Sequence, residues 1–270
     1  MRLIESAALN AREEIQRRTT LAQRRSKTLE WLQKALELEN FPRRIEAFDI
    51  SNLGATGIVA AMTVHVDGKP LKRDYRKFRM RDLDGPDDYA SMYQAVSRRF
   101  KHYVDKDEKF AELPDLLLID GGDTHAATAE QALKDLGLSL PVFGMVKDDR
   151  HRTRALIRSD GREIGIKGNQ AVFSLVGAIQ EETHRFAIEY QRSLRNEGFA
   201  SKLDAIPGVG EKRRSDLIKS FKSLKAIREA SIPQLELVVP KNTARVVYDY
   251  FHKEEDAPCA SSPAAPEGES

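Results

Sequence analysis

The run Leu116-Leu117-Leu118-Ile119, with Pro114 in front of it and Asp120-Gly121-Gly122 behind, constrains this chain more than any other stretch. A wholly apolar tetrad has no face to turn to water. It reads as a central strand covered on both sides, with a tight turn at its carboxyl end. Helical spacing follows from about Thr124 to Leu136, then a second apolar strand at Val142–Val146. Alternation of this kind implies helices on the faces of a sheet. In such sheets the carboxyl ends of central strands are where side chains converge on a ligand.

The flanking sequence extends the sheet. Three strands are expected at Arg44–Ile50, Gly57–Val66 and Leu71–Met80, the first two joined by a turn at Gly54 and Gly57. Asp67-Gly68-Lys69-Pro70 makes the second and third an antiparallel pair. The third alternates Lys72, Asp74, Arg76 and Phe78 with Arg73, Tyr75, Lys77 and Arg79, polar on both faces and therefore suited to a sheet edge. A helix from Asp87 or Asp88 through about Tyr103 shows Met92, Val96 and Phe100 at helical spacing. A hairpin is expected at Ala155–Arg158 and Glu163–Ile166, and a long helix from about Gln170 to Arg195. The fold class is thus α/β, a mixed sheet with flanking helices. Before it, residues 1–40 read as a polar helical segment with Leu29, Leu32, Leu36 and Leu38 as a rough stripe, which needs a partner surface. The expected order is a domain over 41–195, a linker at 196–202, an all-helical domain over 203–252 and a disordered tail over 253–270.

Composition excludes several classes. With 40% apolar and 32% charged residues the chain is of the ordinary folded type. No stretch approaches the roughly eighteen apolar residues that would cross a bilayer, and no signal-peptide pattern opens the chain. A single cysteine, Cys259, rules out a disulfide framework, and a cytoplasmic location is expected. The net charge of +2 says little about a polyanionic partner, but residues 1–45 and 202–222 both hold an excess of Lys and Arg.

Asp49 lies in the first strand, Asp120 ends the buried one, and Asp88 opens a helix. Asp49 beside Asp120 would bring like charges together in a partly buried site, which a hard divalent cation, Mg²⁺ or Mn²⁺, would neutralise. His184 shares a helix face with Ile188 and can point inward; Glu181 either orients its ring or pairs with Arg185. Each has a bland reading: a strand-end polar group, a helix cap for Asp88, the start of a Gly-Gly turn, a core histidine. No phosphate loop of the Gly-x-x-x-x-Gly-Lys or Gly-x-Gly-x-x-Gly kind occurs.

Leu203-Asp204-Ala205-Ile206-Pro207-Gly208-Val209-Gly210-Glu211-Lys212-Arg213 is the most specific local pattern. A short helix ends at Pro207. Gly208 and Gly210 let the backbone turn sharply with its N–H groups open to a phosphate, and Lys212 and Arg213 add charge. This resembles the helix-hairpin-helix element, which grips a duplex backbone without reading bases. A second, degenerate hairpin follows, with Lys241-Asn242-Thr243 in the place of Gly-x-Gly.

Four blocks together resemble the carboxyl-terminal half of the UvrC family, the nuclease subunit of bacterial UvrABC nucleotide excision repair. They are Phe48-Asp49-Ile50-Ser51-Asn52, Gly85-Pro86-Asp87-Asp88-Tyr89-Ala90-Ser91-Met92, Pro114–Gly122 and Glu181–Ile188. The resemblance implies a ribonuclease-H-like fold followed by a tandem helix-hairpin-helix. It further implies a metal-dependent endonuclease that cuts 5′ to a lesion, with Asp49, Asp120 and His184 as catalytic residues and Asp88 a further required aspartate. Partners would be lesion-bearing double-stranded DNA and the UvrB–DNA complex. The amino-terminal nuclease domain, cysteine-rich stretch and UvrB-binding segment of the family are not visible, so the chain is expected to be an excised piece or a shortened homologue. Where the family commonly has Gly-Gly-Lys-Gly-Gln, this chain has Gly121-Gly122-Asp123-Thr124-His125, with one positive charge fewer; His125 is expected at the surface rather than on a metal. The competing reading is a non-enzymatic DNA-binding module on the same fold.

Overall fold

The computed structural model describes residues 2–52, 58–80, 87–148, 153–221 and 223–253. The turn expected at Gly54 and Gly57, and the tail expected beyond Lys253, lie outside them. The chain divides into two compact units, Met1–Gln191 and Arg192–Ser270. Among the described residues no helix is long and apolar enough to cross a membrane.

The first unit is built on an eight-stranded sheet. Strands β1 (Arg44–Asn52) and β2 (Ile58–Val66) pair antiparallel, and β2 carries two short outer strands, β3 (Lys69–Pro70) and β4 (Arg76–Arg79). On its other side β1 pairs in parallel with β5 (Leu116–Ile119), which pairs in parallel with β6 (Val142–Lys147). The antiparallel strands β7 (Thr153–Ile157) and β8 (Glu163–Gly165) finish the row. The apolar tetrad therefore sits at the centre, with all four residues buried. The single strand expected over Leu71–Met80 is broken, because Lys72–Asp74 form a 3₁₀ turn before β4 begins. The turn before it is narrower than expected: Asp67 (φ 51°) and Gly68 (φ 69°) make it alone, and Lys69-Pro70 already pair with β2. Positive φ at both central residues suits a tight hairpin that keeps the right-handed twist of its strands.

Period-two alternation sends side chains of each strand to two separate cores. One face carries Phe48, Met62, Phe78, Leu117 and Ile119 and packs against helices α2 (Asp88–Val104) and α3 (Asp123–Asp135). The other carries Ile45, Ala47, Leu116, Leu118, Phe143 and Met145. It is covered by α1 (Arg2–Leu36), through Leu29, Leu32 and Leu36, and by α4 (Gln170–Asp204), through Val172, Val176 and Ile179. The partner surface that the polar first helix needs is thus this sheet face.

Two polar clusters pin the layers. Glu46, fully buried, accepts from Arg99 Nε and Nη2 at 3.0 and 2.8 Å and from Arg44 Nε and Nη2 at 3.2 and 3.1 Å. Arg99 also donates to the Phe110 and Glu112 carbonyls, which ties α2 to the sheet. On the opposite face the Thr63 and Thr183 hydroxyls meet at 2.6 Å, both fully buried, and fix α4 over β2.

The second unit is all-helical. The linker expected at 196–202 is helix: α4 continues to Asp204 and serves as the first helix of the hairpin, so the short separate helix expected before Pro207 is its last turn. Helices α5 (Glu211–Phe221), α6 (Leu224–Arg228), α7 (Ile232–Glu236) and α8 (Lys241–Lys253) follow around Leu203, Ile206, Leu217, Ile227, Leu235, Val247 and Phe251.

Glu46→Gln leaves the buried Arg99 guanidinium without its counter-charge and is expected to cost about 3–5 kcal/mol of stability in urea unfolding. A loss within the roughly 0–1 kcal/mol of a surface pair would remove this cluster from the account of stability.

Candidate metal centre

Parallel pairing of β1 with β5 places Phe48 opposite Ile119, so the next residues, Asp49 within β1 and Asp120 just past the end of β5, stand side by side. Asp49 follows Ala47 and Asp120 follows Leu118 by two residues, and so both turn toward the face that α4 covers. Anchoring of Thr183 on Thr63 then sets the register of α4 for the next residue, His184. Its Nδ1 stands 3.1 Å from Asp49 Oδ2. One ligand atom from each of Asp49, Asp120 and His184 lies within 4.8 Å of the others.

The two carboxylates are nearly buried, their side chains each 7% exposed, whereas the imidazole is 51% exposed. Burial above all, then the charge of Asp120, pushes the Asp49 carboxyl up to about 6. The hydrogen bond and charge of His184 and the charge of Lys147 act in the opposite direction. Excess negative charge out of water, ringed by two oxygen donors and one nitrogen donor, fits a divalent cation.

Asp120 is held by residues that sequence reading passed over. Lys147 Nζ, at the end of β6, lies 2.9 Å from Asp120 Oδ2, and Gln180 Nε2 donates to Oδ1 at 2.8 Å. Gln180 in turn accepts from the Thr153 hydroxyl of β7. Both main holders had a signal: Lys147 closes an apolar strand much as Asp120 does, and Gln180 is one helical turn before His184 on the same face. Gly144, on β6, has a steric reason. A Cβ there would stand 2.5 Å from the Gly121 carbonyl oxygen and 2.8 Å from that of Gly122, so any side chain would push on the turn behind Asp120.

Asp88 is not among the three. It lies exposed in the first turn of α2, and the cap is its neighbour Asp87, whose side chain accepts from Ala90 N at 2.9 Å. Glu181 does not pair with Arg185, which instead bonds Glu182 at 2.8 Å and Glu189 at 2.9 Å. His125 packs its ring against Gly121 and lies 4.6 Å from the Tyr89 ring, outside the donor cluster.

In the second unit, Gly208 takes φ +81°, a value that favours glycine, and α5 starts at Glu211 directly after Gly210. Lys212 and Arg213 are both exposed, but Arg213 Nη1 donates to the Gly208 carbonyl at 2.6 Å and braces the hairpin. The second hairpin differs from expectation. Lys241, Asn242 and Thr243 form the first turn of α8, and the connecting loop is Leu237–Pro240. Buried Val239 stands two residues before α8, as buried Val209 stands two before α5, so Pro240 matches Gly210.

A sheet of three antiparallel strands continued by parallel ones, with acidic groups side by side on its inner strands and a histidine brought by α4, defines a ribonuclease-H-like nuclease domain. The family model for the UvrC RNase H endonuclease domain matches residues 33–188, and the chain belongs to that family. It is similar to the UvrABC system protein C of Thermoanaerobacter sp. (44% identity over 82% of this chain and 39% of that protein). It is also similar to that of Acetivibrio thermocellus (40% identity over 94% of this chain and 44% of that protein). The chain therefore spans about two fifths of the length of these relatives. Among solved structures, human endonuclease V aligns at a TM-score of 0.36 and 11% identity over 59% of this chain and 89% of that one, a likeness too low to argue from.

Because a cation needs Asp49 ionised, its binding should strengthen as pH rises through about 6 and be accompanied by proton release below that pH. Calorimetric titration of Mn²⁺ in two buffers of different ionisation enthalpy measures the protons released. Affinity that is flat between pH 5 and 7 (a span roughly centred on the Asp49 value) would contradict the arrangement.

Proposed function

We propose that this domain hydrolyses a phosphodiester bond of DNA with Mg²⁺ or Mn²⁺, making the incision 5′ to a lesion in nucleotide excision repair. The convergence of Asp49, Asp120 and His184 within 4.8 Å carries the reading. A bound divalent ion supplies Lewis acidity toward the phosphate and an acidified water. Asp49 and Asp120 would hold it, and Lys147 and Gln180 fix the position of the Asp120 carboxylate. In the tautomer that places its proton on Nδ1 toward Asp49, the His184 ring would have its lone pair on Nε2, to serve either the cation or a proton from the attacking water. Asp88, exposed at the start of α2, is assigned to a second cation or to orienting water, in keeping with the family resemblance.

Double-stranded DNA carrying a lesion is the proposed substrate, the UvrB–DNA complex the proposed partner and the bacterial cytoplasm the proposed location. Gly208, Gly210, Lys212 and Arg213 are assigned to the duplex backbone, where open N–H groups ahead of α5 would donate to a phosphate. Pro240 has no N–H, so the second hairpin offers one donor fewer.

Asp49→Ala and Asp120→Ala should each abolish Mn²⁺-dependent nicking of damaged duplex while DNA affinity stays within about twofold of the parent, as expected when phosphate contacts elsewhere set binding. Retained nicking by Asp49→Ala would end the mechanism. In a separate binding series, the Gly208→Val/Gly210→Val pair should weaken duplex affinity more than Lys241→Ala. The reverse order would assign the principal grip to the second hairpin.

A further inference from the structure

We infer that Lys77, with Arg79 beside it, is a phosphate-binding position for the nucleic-acid strand that reaches the metal centre, an inference that rests on the proposed nuclease function. The sheet register places it. Asp49 of β1 is the cross-strand partner of Ala61 of β2, and Ala61 is the partner of Lys77 of β4. Cross-strand partners share a face, so Asp49, Ala61 and Lys77 form one transverse row on the face covered by α4. Two strand spacings separate the row's ends, roughly 10 Å. The side chain between them is a buried methyl, which raises no barrier. Ser51, Val59 and Arg79 form the next row on the same face, two residues along.

The Lys77 ammonium is held rather than loose. It lies 5.0 Å from the centroid of the Phe186 ring and 5.2 Å from that of Tyr190, both on the helix that supplies His184. Lys77 and Arg79 are both exposed, and among the described residues no carboxylate forms an ion pair with Lys77. A cation with no carboxylate partner, fixed on aromatic rings and in line with the catalytic carboxylates, is suited to an anion arriving at the same place. On the other flank Lys147 already serves Asp120, so Lys77 is the flank open to substrate.

The test is the salt dependence of duplex binding by the whole chain in metal-free buffer, where cleavage does not interfere. Each lost phosphate contact lowers the slope of log affinity against log salt by about 0.9. Lys77→Met should show that decrease, losing roughly threefold less affinity than the parent between about 50 and 200 mM salt. Lys77→Met/Arg79→Met should lose about twice the slope. Lys101→Met, exposed on α2 against the opposite sheet face, should leave it unchanged. Should Lys77→Met fail to fold, Arg79→Met alone carries the same expectation of one contact. An unchanged slope in Lys77→Met and Arg79→Met, or an equal fall in Lys101→Met, overturns the inference and leaves the nuclease reading intact. A parent chain that binds no duplex at low salt overturns both.

Discussion

Two carboxylates held side by side out of water repel each other, and much of the first unit is arranged around that repulsion. Asp49 and Asp120 cannot avoid one another, because parallel pairing of β1 with β5 sets Phe48 opposite Ile119 and so brings the next residue of each chain segment to the same level. Their backbone positions are fixed by the most buried part of the sheet, where Phe48 and Ile119 have no exposure at all. Relaxation by moving apart would break that core. The fold instead surrounds the pair with partial remedies: the Lys147 ammonium on one oxygen, the Gln180 amide on another, and the His184 ring beside Asp49. The Asp49 carboxyl stays raised nonetheless, by its burial first and by the charge of Asp120 second. Incomplete neutralisation is what leaves affinity for a cation.

The same constraint explains why the pins lie where they do. His184 sits on a long helix whose rotation by one residue would swing the ring roughly 100° away. Thr183, immediately before it, is locked to Thr63 and also bonds the Ile179 carbonyl at 2.7 Å, so the rotation is fixed next to the residue that matters. On the far face Glu46, three residues before Asp49 on the same strand, is clamped by Arg99 and Arg44. Strands β1 and β2 are thus pinned on opposite faces of the sheet, close to Asp49. Gly144 serves the same end by subtraction, since only a missing side chain lets the Gly121-Gly122 turn lie against β6.

Legibility of the sequence followed the range of the interactions. The central strand could be read because four apolar residues in a row allow few alternatives. Helices on the faces of the sheet could be read because the helical spacing of Met92, Val96 and Phe100 is a local pattern. Asp49 within the first strand and Asp120 at the end of the buried one were legible as acids that could meet, and His184 entered the expected set through its family block. What stayed hidden depended on register between distant segments. Lys147 meets Asp120 across 27 residues and Gln180 meets it across 60, contacts that no window of sequence displays. The linker expected at 196–202 failed for another reason: a Gly198 within a polar stretch costs a helix only about 1 kcal/mol, which neighbouring turns absorb. The broken third strand failed because Lys72–Asp74 alternate as a strand would, while Arg44 draws Asp74 into an ion pair at 2.9 Å.

The departure at Asp123 finds a physical place in the same scheme. Where the family resemblance leads one to expect a lysine after the two glycines, Asp123 opens α3, and its Oδ1 accepts from Thr124 N at 2.8 Å. An acid in the first turn is favourable to a helix, whereas a lysine there would oppose the dipole. Asp123 is exposed and outside the donor cluster, so its negative charge does not join that of Asp49 and Asp120. The cation that touches Asp120 comes instead from β6, as Lys147, one strand over from β5. Charge in the turn and charge at the carboxylate are therefore separate matters in this chain. Exchanging the first for helix stability leaves the second in place.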